Sequence, residues 1–246
     1  MVIQGGVRHT QAPLGVLCLD SRFTKPLGHL RNPRTFGYPV VYAVLEGVDI
    51  PRLLKAPGDD LRELLVTRAR QLEADGVAVI AGSCGFMARY QPAVAAAVSI
   101  PVMLSSLTLL PWLASVHGGL GRVGVLTADA GALKPAHFTG AGWQGEPPVV
   151  QGLENGDEFR QVILEGRRDD LDLAAMAHEL AQATRRLKAR TPLDAVVLEC
   201  TDLSAFAEVV RREAGCPVYD IVPALEPIVR AAAGKGRSGC NQNDTD

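Results

Sequence analysis

What this 246-residue chain lacks closes off several classes of function. Its formal net charge is only −2, so there is no basic excess to draw it to nucleic acid or to an anionic membrane surface. Its five cysteines are an odd number and include no C-x-x-C pair, which excludes a disulfide framework and a structural zinc site. The histidines (His9, His29, His117, His137 and His178) show no metal-type pairing. The polar start, Met1 to Ala12, lacks the apolar core of a secretory signal, so a cytoplasmic protein with free thiols is expected. The longest charge-free stretch, Tyr90 to Gly121, is divided by Pro92, Pro101 and Pro111 and carries Ser99, Ser105, Ser106 and Thr108. It reads as buried helix, strand and loop rather than a membrane span. Two glycine patterns, Gly119-x-Gly121-x-x-Gly124 and Gly234-x-Gly236-x-x-Gly239, match a dinucleotide fingerprint but lack its strand–turn–helix setting.

What is present is a globular composition, 47% apolar and 21% charged, in which strand and helix patterns alternate. Apolar runs at 14–19, 40–44, 77–81, 102–104, 123–126, 149–150, 195–198 and 218–221 predict strands. Between them lie helical patterns, among them one opening at a capping box, Asp60-x-x-Glu63, with Leu61, Leu64, Leu65 and Leu72 on one face. Others are expected at 159–165, at 171–189, after Cys84, after Cys200, and near 225–233. Wholly apolar strands between helices imply parallel sheets covered on both faces. The fold class expected is α/β: two pseudo-symmetric lobes, each a mostly parallel sheet flanked by helices, with the active site in the cleft between them. Residues 12–110 plus 222–233 are assigned to the first lobe, 111–221 to the second, and 234–246 to a disordered tail.

The case for two lobes is an internal repeat. Val77-Ala-Val-Ile-Ala-Gly-Ser-Cys84 and Ala195-Val-Val-Leu-Glu-Cys200 are both apolar runs that end at a cysteine. From Cys84 to Pro101 and from Cys200 to Pro217 is 17 residues in each case, and Pro111 and Pro227 each lie 10 further on. Upstream, Gly15-Val-Leu-Cys-Leu-Asp20 matches Gly124-Val-Leu-Thr-Ala-Asp129. A single cysteine at a strand end is often only a small buried hydrophobe. Two at matched positions, each beside a helix start that favours thiolate, predict opposed thiols across a cleft. The remaining cysteines, Cys18, Cys216 and Cys240, sit in a strand, a turn and the tail and are read as structural or inert.

Around the thiols lie small or hydrogen-bonding residues, Ser83, Gly85 and Phe86 beside one and Thr201 and Asp202 beside the other, whose backbone N–H groups suit a carboxylate. Polar positions after the other strands are further candidates: Asp20 and Ser21, Asn32 and Thr35 in the loop at 28–39, Ser105 and Ser106, and Thr127. Asp20 is equally a turn cap, and Asn32 and Thr35 are equally turn stabilisers. One thiolate and one thiol on opposite sides of a carbon can remove a proton from one face and return one to the other, without metal or cofactor.

The segments Gly82-Ser-Cys84-Gly85-Phe86, Leu198-Glu-Cys200-Thr201-Asp202-Leu203 and Leu19-Asp20-Ser21-Arg22-Phe23 resemble the aspartate/glutamate racemase superfamily. That superfamily includes hydantoin racemase, maleate isomerase and arylmalonate decarboxylase. The resemblance spans residues 12–233. It implies a cofactor-independent enzyme with Cys84 and Cys200 as the acid/base pair and Asp20 orienting the first thiol. It further implies that Ser83, Gly85, Thr127 and Thr201 meet the substrate carboxylate or amine. Glutamate racemases follow their first cysteine with Asn-Thr and their second with Thr-His; here Gly85-Phe86 and Thr201-Asp202 stand there, so glutamate is not the expected substrate. The reading is a racemase or epimerase acting on an amino acid or related small carboxylate, with a homo-oligomer allowed. The alternative is a maleate-isomerase- or decarboxylase-like enzyme using one cysteine as nucleophile or proton donor.

Overall fold

A computed structural model describes residues 12–233; the expected tail and Cys240 lie outside the described residues. Eight strands form two four-stranded, all-parallel sheets. The first contains β1 (Leu14–Leu19), β2 (Val40–Leu45), β3 (Val79–Gly82) and β4 (Val102–Met103), in the order β2-β1-β3-β4. The second contains β5 (Val123–Thr127), β6 (Val149–Gly152), β7 (Ala195–Leu198) and β8 (Val218–Tyr219), in the order β6-β5-β7-β8. The orders coincide element for element, so the repeat seen in the sequence is a repeat of topology.

The helices are α1 (Ile50–Lys55), α2 (Asp59–Ala74), α3 (Gln91–Ala95), α4 (Leu110–His117), α5 (Pro135–Gly140), α6 (Leu173–Arg190), α7 (Ala207–Ala214) and α8 (Ile221–Ala233). None is long and apolar enough to cross a membrane. Every residue of β1, β3, β5 and β7 is buried, because helices cover both faces of each sheet. Two equivalent glycines permit this packing. A Cβ on Gly15 of β1 would press on Leu72 of α2 at 3.1 Å, and one on Gly124 of β5 on Leu187 of α6 at 2.6 Å. Leu14, Val16, Val79 and Ala81 on the other face of the first sheet share a core with Ile221, Leu225 and Val229 of α8.

Several local expectations differ from the fold. The capping box is not formed: α2 starts at Asp59 behind Gly58, which has no side chain to cap it. Asp60 instead bonds Arg52 at 2.5 Å, which draws its carboxylate out of the cap. α8 begins at Ile221, earlier than the apolar pattern suggested, since Pro223 falls in the first turn, where its missing N–H costs nothing. α1 and α5 are too short to carry a periodic signal; both carry a proline in the first turn, Pro51 and Pro135. α6 is capped by Asp172, whose Oδ1 accepts from the N–H groups of Ala174 and Ala175 at 2.9 and 3.0 Å.

The two sheets lock together at their carboxyl ends. The Ser106 hydroxyl, after β4, donates to Leu198 O of β7 at 2.6 Å, and the Thr201 hydroxyl donates to Ser83 O. Gly140 at the end of α5 abuts the turn after β3 so closely that a Cβ there would meet Ala88 O and lie 2.8 Å from Arg89 Cα. Gly140→Ala should therefore cost about 1–3 kcal/mol in urea unfolding, while Gly37→Ala, where nothing lies within 4 Å, should stay within about 0.5 kcal/mol of wild type. Equal stability of the two variants would contradict this wedge.

Candidate active site

Both thiols stand just past the carboxyl end of the strand next to β1 or β5, the switch point where open parallel sheets take ligands. Cys84 follows β3 and Cys200 follows β7, each with extended backbone, and each heads a 3-10 turn, Gly85–Tyr90 and Thr201–Phe206. These turns run on into α3 and α7, so the expected helix starts are present in tightened form. Cys200 is buried and Cys84 half-buried. Each thiol accepts a backbone hydrogen bond at its own turn, from Phe86 and Asp202 respectively. Burial, followed by nearby carboxyls, pushes both thiols well above their ordinary range: Glu199 then Asp202 at Cys84, and Asp202 then Glu199 at Cys200. Cys84 also raises Cys200, so the two sulfurs feel one another. At neutral pH both are therefore neutral thiols.

The surroundings of the two thiols are not alike. The Cys200 S–H points to Asp202 Oδ2 at 3.6 Å, and Asp202 Oδ1 lies 2.7 Å from His29 Nε2. The other ring nitrogen, Nδ1, accepts the Arg31 N–H at 2.8 Å, which fixes the tautomer: Nε2 carries the hydrogen and donates it to Asp202. Burial drives the His29 pKa down against the pull of Asp202, so this contact is a neutral imidazole bonded to a carboxylate. Burial alone would raise the Asp202 pKa, but the His29 bond, with Lys25 nearby, holds it below the usual carboxylate range. A thiol, an anion and an oriented imidazole thus form a chain on the Cys200 side.

On the Cys84 side stands Glu199, fully buried. Its Oε2 accepts from the Thr127 hydroxyl at 2.7 Å, while Oε1 has no partner. A Cβ on Gly85 would collide with Glu199 O and Oε1, so only glycine allows the Cys84 turn to close on this carboxyl. Burial lifts the Glu199 pKa to about 8 in spite of the Thr127 bond, making it a carboxylic acid at neutral pH.

The remaining candidates separate by what their side chains already hold. Asp20 is exposed and accepts the Gly47 N–H at 3.1 Å, so it secures the turn after β2 and does not orient Cys84. Asn32 bonds Lys25 O at 2.8 Å and Thr35 bonds His29 O at 2.7 Å; they brace the loop instead of facing a ligand. The Ser83 hydroxyl accepts the Leu19 N–H at 3.0 Å within the first lobe, and the Thr201 hydroxyl is committed to Ser83 O, joining the lobes. Thr127 is committed to Glu199. Phe86 is buried edge-on against His137 at 5.1 Å and belongs to the core. Ser105 caps its own turn by accepting the Leu107 N–H at 3.2 Å. Ser21 accepts from Arg31 at 2.7 Å and Lys25 at 3.2 Å.

Lys25, His29, Arg31 and Glu199 were not foreseen as site residues. The first three lie on a loop with no periodicity and reach the site only through tertiary folding. Glu199 did carry a signal, an acid closing an otherwise apolar strand beside a cysteine. A cavity of about 320 Å³ opens between the lobes, lined by Ser21 and Phe23 on one side and Val162, Ile163 and Arg168 on the other. Neither thiol nor Asp202 lines it, and it is linked to their cluster through Ser21 and Phe23, which Lys25 touches.

No family model matches the chain. Among curated proteins, it is 29% identical over 238 residues to a dimethylsulfoniopropionate lyase of Durusdinium sp. clade D, an alignment covering 94% of this chain and 78% of the relative. It is also 29% identical over 238 residues to dimethylsulfoniopropionate lyase 7 of Emiliania huxleyi (strain CCMP1516), covering 93% and 69%. Among solved structures, the Gly74Cys mutant of arylmalonate decarboxylase superposes with a TM-score of 0.58 at 20% identity, covering 95% of this chain and 97% of that one. Glutamate racemase from Thermus thermophilus gives 0.57 at 18% identity, covering 95% and 85%. The chain has the fold of the aspartate/glutamate racemase superfamily. The sequence relatives are lyases, and the racemases and decarboxylases are its neighbours in fold, which favours the alternative drawn from the sequence over an amino-acid racemase.

Because Glu199 binds a proton in the fold that it releases on unfolding above its ordinary pKa of 4.5, its contribution to stability should fall as pH rises from about 4.5 to about 8, while the lowered pKa values of His29 and His137 act in the opposite sense at the acid end of that range. The slope should approach roughly 1 kcal/mol per pH unit and be absent in Glu199→Gln. Denaturation midpoints of both proteins from pH 5 to 8 check this; parallel curves would contradict it.

Proposed function

We propose that this protein is a cofactor-independent lyase that removes the Cα proton of a small carboxylate with Cys200 and expels a group from Cβ. Dimethylsulfoniopropionate is the substrate the relatives suggest. The single observation that carries the reading is the Cys200–Asp202–His29 chain, found in a protein whose sequence relatives are lyases. An elimination needs one strong base at Cα and, with dimethyl sulfide as leaving group, no acid, because the sulfide departs neutral. Unequal thiol environments suit that requirement better than racemisation, in which two thiols exchange equivalent roles.

The steps balance as follows. Substrate brings a cationic sulfonium, which favours negative charge at the Cys200 sulfur, and the thiol proton leaves along its hydrogen bond to Asp202. The thiolate removes the Cα proton; the C–H electron pair becomes the Cα=Cβ bond, and the Cβ–S pair leaves with sulfur. Dimethyl sulfide and acrylate form, Cys200 is again a thiol, and the proton held by Asp202 passes to solvent. Removing a proton beside a carboxylate loads charge onto the carboxylate oxygens, so donors there are worth most in the transition state. Glu199, neutral, adds no repulsion to that charge. The cavity supports a cationic substrate too: Asp20, Asp49, Glu165 and Asp169 line it against only Arg22 and Arg168.

A second reading, proton return to Cα without loss of a group, is favoured by Cys84 standing near Cys200. Headspace measurement of dimethyl sulfide, with proton NMR in D₂O, separates the two. The lyase reading expects sulfide and acrylate, a loss of about 10²–10⁴-fold in Cys200→Ala, and a smaller loss with an altered pH profile in Asp202→Asn. Deuterium appearing at Cα of recovered amino acids, with no sulfide released, would overturn it.

A further inference from the structure

Lys25 is a half-buried cation with no anion in contact among the described residues. Its Nζ donates to Ser21 Oγ at 3.2 Å and lies over the Phe23 ring, and no carboxylate comes within 4.0 Å of it among the described residues. The loop that carries it is braced for the purpose. Asn32 bonds the Lys25 carbonyl at 2.8 Å, Thr35 bonds His29 O at 2.7 Å, and the Gly28 N–H donates to Thr35 Oγ1 at 3.0 Å. Gly28, at φ +93°, lets the loop lie against the Cys200 turn, where a Cβ would be 3.1 Å from Ala205 Cα. The two side chains that Lys25 touches, Ser21 and Phe23, also line the cavity. The ammonium therefore lies behind the Ser21–Phe23 wall of the cavity and is close enough to Cys200 and Asp202, which do not line the cavity, to feel both.

A half-buried ammonium with one neutral hydrogen bond and no anion in contact has room for an anionic partner. Arg31 on the same loop satisfies itself, donating to Leu19 O at 3.0 Å and Ser21 Oγ at 2.7 Å, so Lys25 is the cation with capacity to spare. We infer that Lys25 is the anchor for the substrate carboxylate, pairing with it between the cavity and Cys200 so that Cα is presented to the thiol. This inference rests on the proposed function only for the identity of the substrate; it requires a small carboxylate ligand, whatever follows chemically. Anchoring there also places the positive charge against the side of the substrate on which enolate charge gathers as Cα loses its proton.

The site has a recognisable signature. Burial lowers the Lys25 pKa to about 7, partly opposed by Asp202, with Arg31 lowering it and Cys200 and Cys18 raising it slightly. A carboxylate in contact would restore the ammonium, so binding near pH 7.5 should take up protons. The Cys18 and Cys200 thiols stay neutral there and His29 stays unprotonated, but Glu199 titrates in the same range.

The test is isothermal titration of the intact protein with acrylate at pH 7.5, in two buffers of different ionisation enthalpy. Wild type and Glu199→Gln should both bind with proton uptake. Lys25→Met, which keeps the aliphatic stem, should bind at least tenfold more weakly and lose the Lys25 share of the uptake; Arg34→Ala, on the exposed part of the same loop, should bind as wild type. Acrylate affinity in folded Lys25→Met within twofold of wild type would overturn the inference. So would wild-type binding without proton uptake, a result independent of whether any variant folds. Lys25-dependent acrylate binding in a protein that releases no dimethyl sulfide would retain the anchor and remove the lyase assignment.

Discussion

The site depends on keeping one carboxylate, Asp202, ionised inside the protein. Burial works against that charge, and only the groups around it make it tolerable: an imidazole hydrogen bond from His29 at 2.7 Å and the nearby ammonium of Lys25. Both come from the loop after β1, in the other half of the molecule from Asp202 itself. Closure of that loop onto the Cys200 turn is therefore what allows the anion, and the anion is what gives Cys200 an acceptor for its proton. The bonds that join the sheets, Thr201 to Ser83 and Ser106 to Leu198, hold the two halves in the register this arrangement requires.

Duplication supplied two equivalent thiols, and divergence of their neighbours made them unequal. Cys200 faces an anion within its own turn, whereas Cys84 faces a neutral acid from across the interface. The asymmetry comes from two residues flanking one cysteine, Glu199 before it and Asp202 two positions after. A site with this bias favours proton removal in one sense, as an elimination demands. A fold shared with racemases and decarboxylases then needs few changes to run different chemistry, because all begin or end with a proton moving at a carbon beside a carboxylate.

The fold was open to reading in the sequence because its signals are long or repeated. The strands are wholly apolar, and the two halves share spacings from Gly15 and Gly124 through Cys84 and Cys200 to the paired prolines. The thiols were legible for the same reason. The small polar residues were harder to place, because a hydroxyl next to a thiol can face a ligand or the neighbouring lobe with the same local sequence. Thr201 took the second course, while Ser83 and Thr127 are held by groups brought by another strand of their own halves. Asn32, Thr35 and Asp20 followed turn chemistry, which the sequence already allowed. Lys25 and His29 could not be read, because nothing local distinguishes a loop lysine that folding buries from one left in water.

The account stands on Cα–H cleavage by Cys200 being coupled to loss of the Cβ substituent. Dimethylsulfoniopropionate deuterated at Cα tests this most directly, with kcat/KM measured against the light substrate. A normal primary isotope effect on sulfide release, or exchange of the Cα label with solvent in recovered substrate, is the predicted result. Sulfide release at the same kcat/KM for both substrates, with the label retained in recovered substrate and no loss of rate in Cys200→Ala, would contradict it.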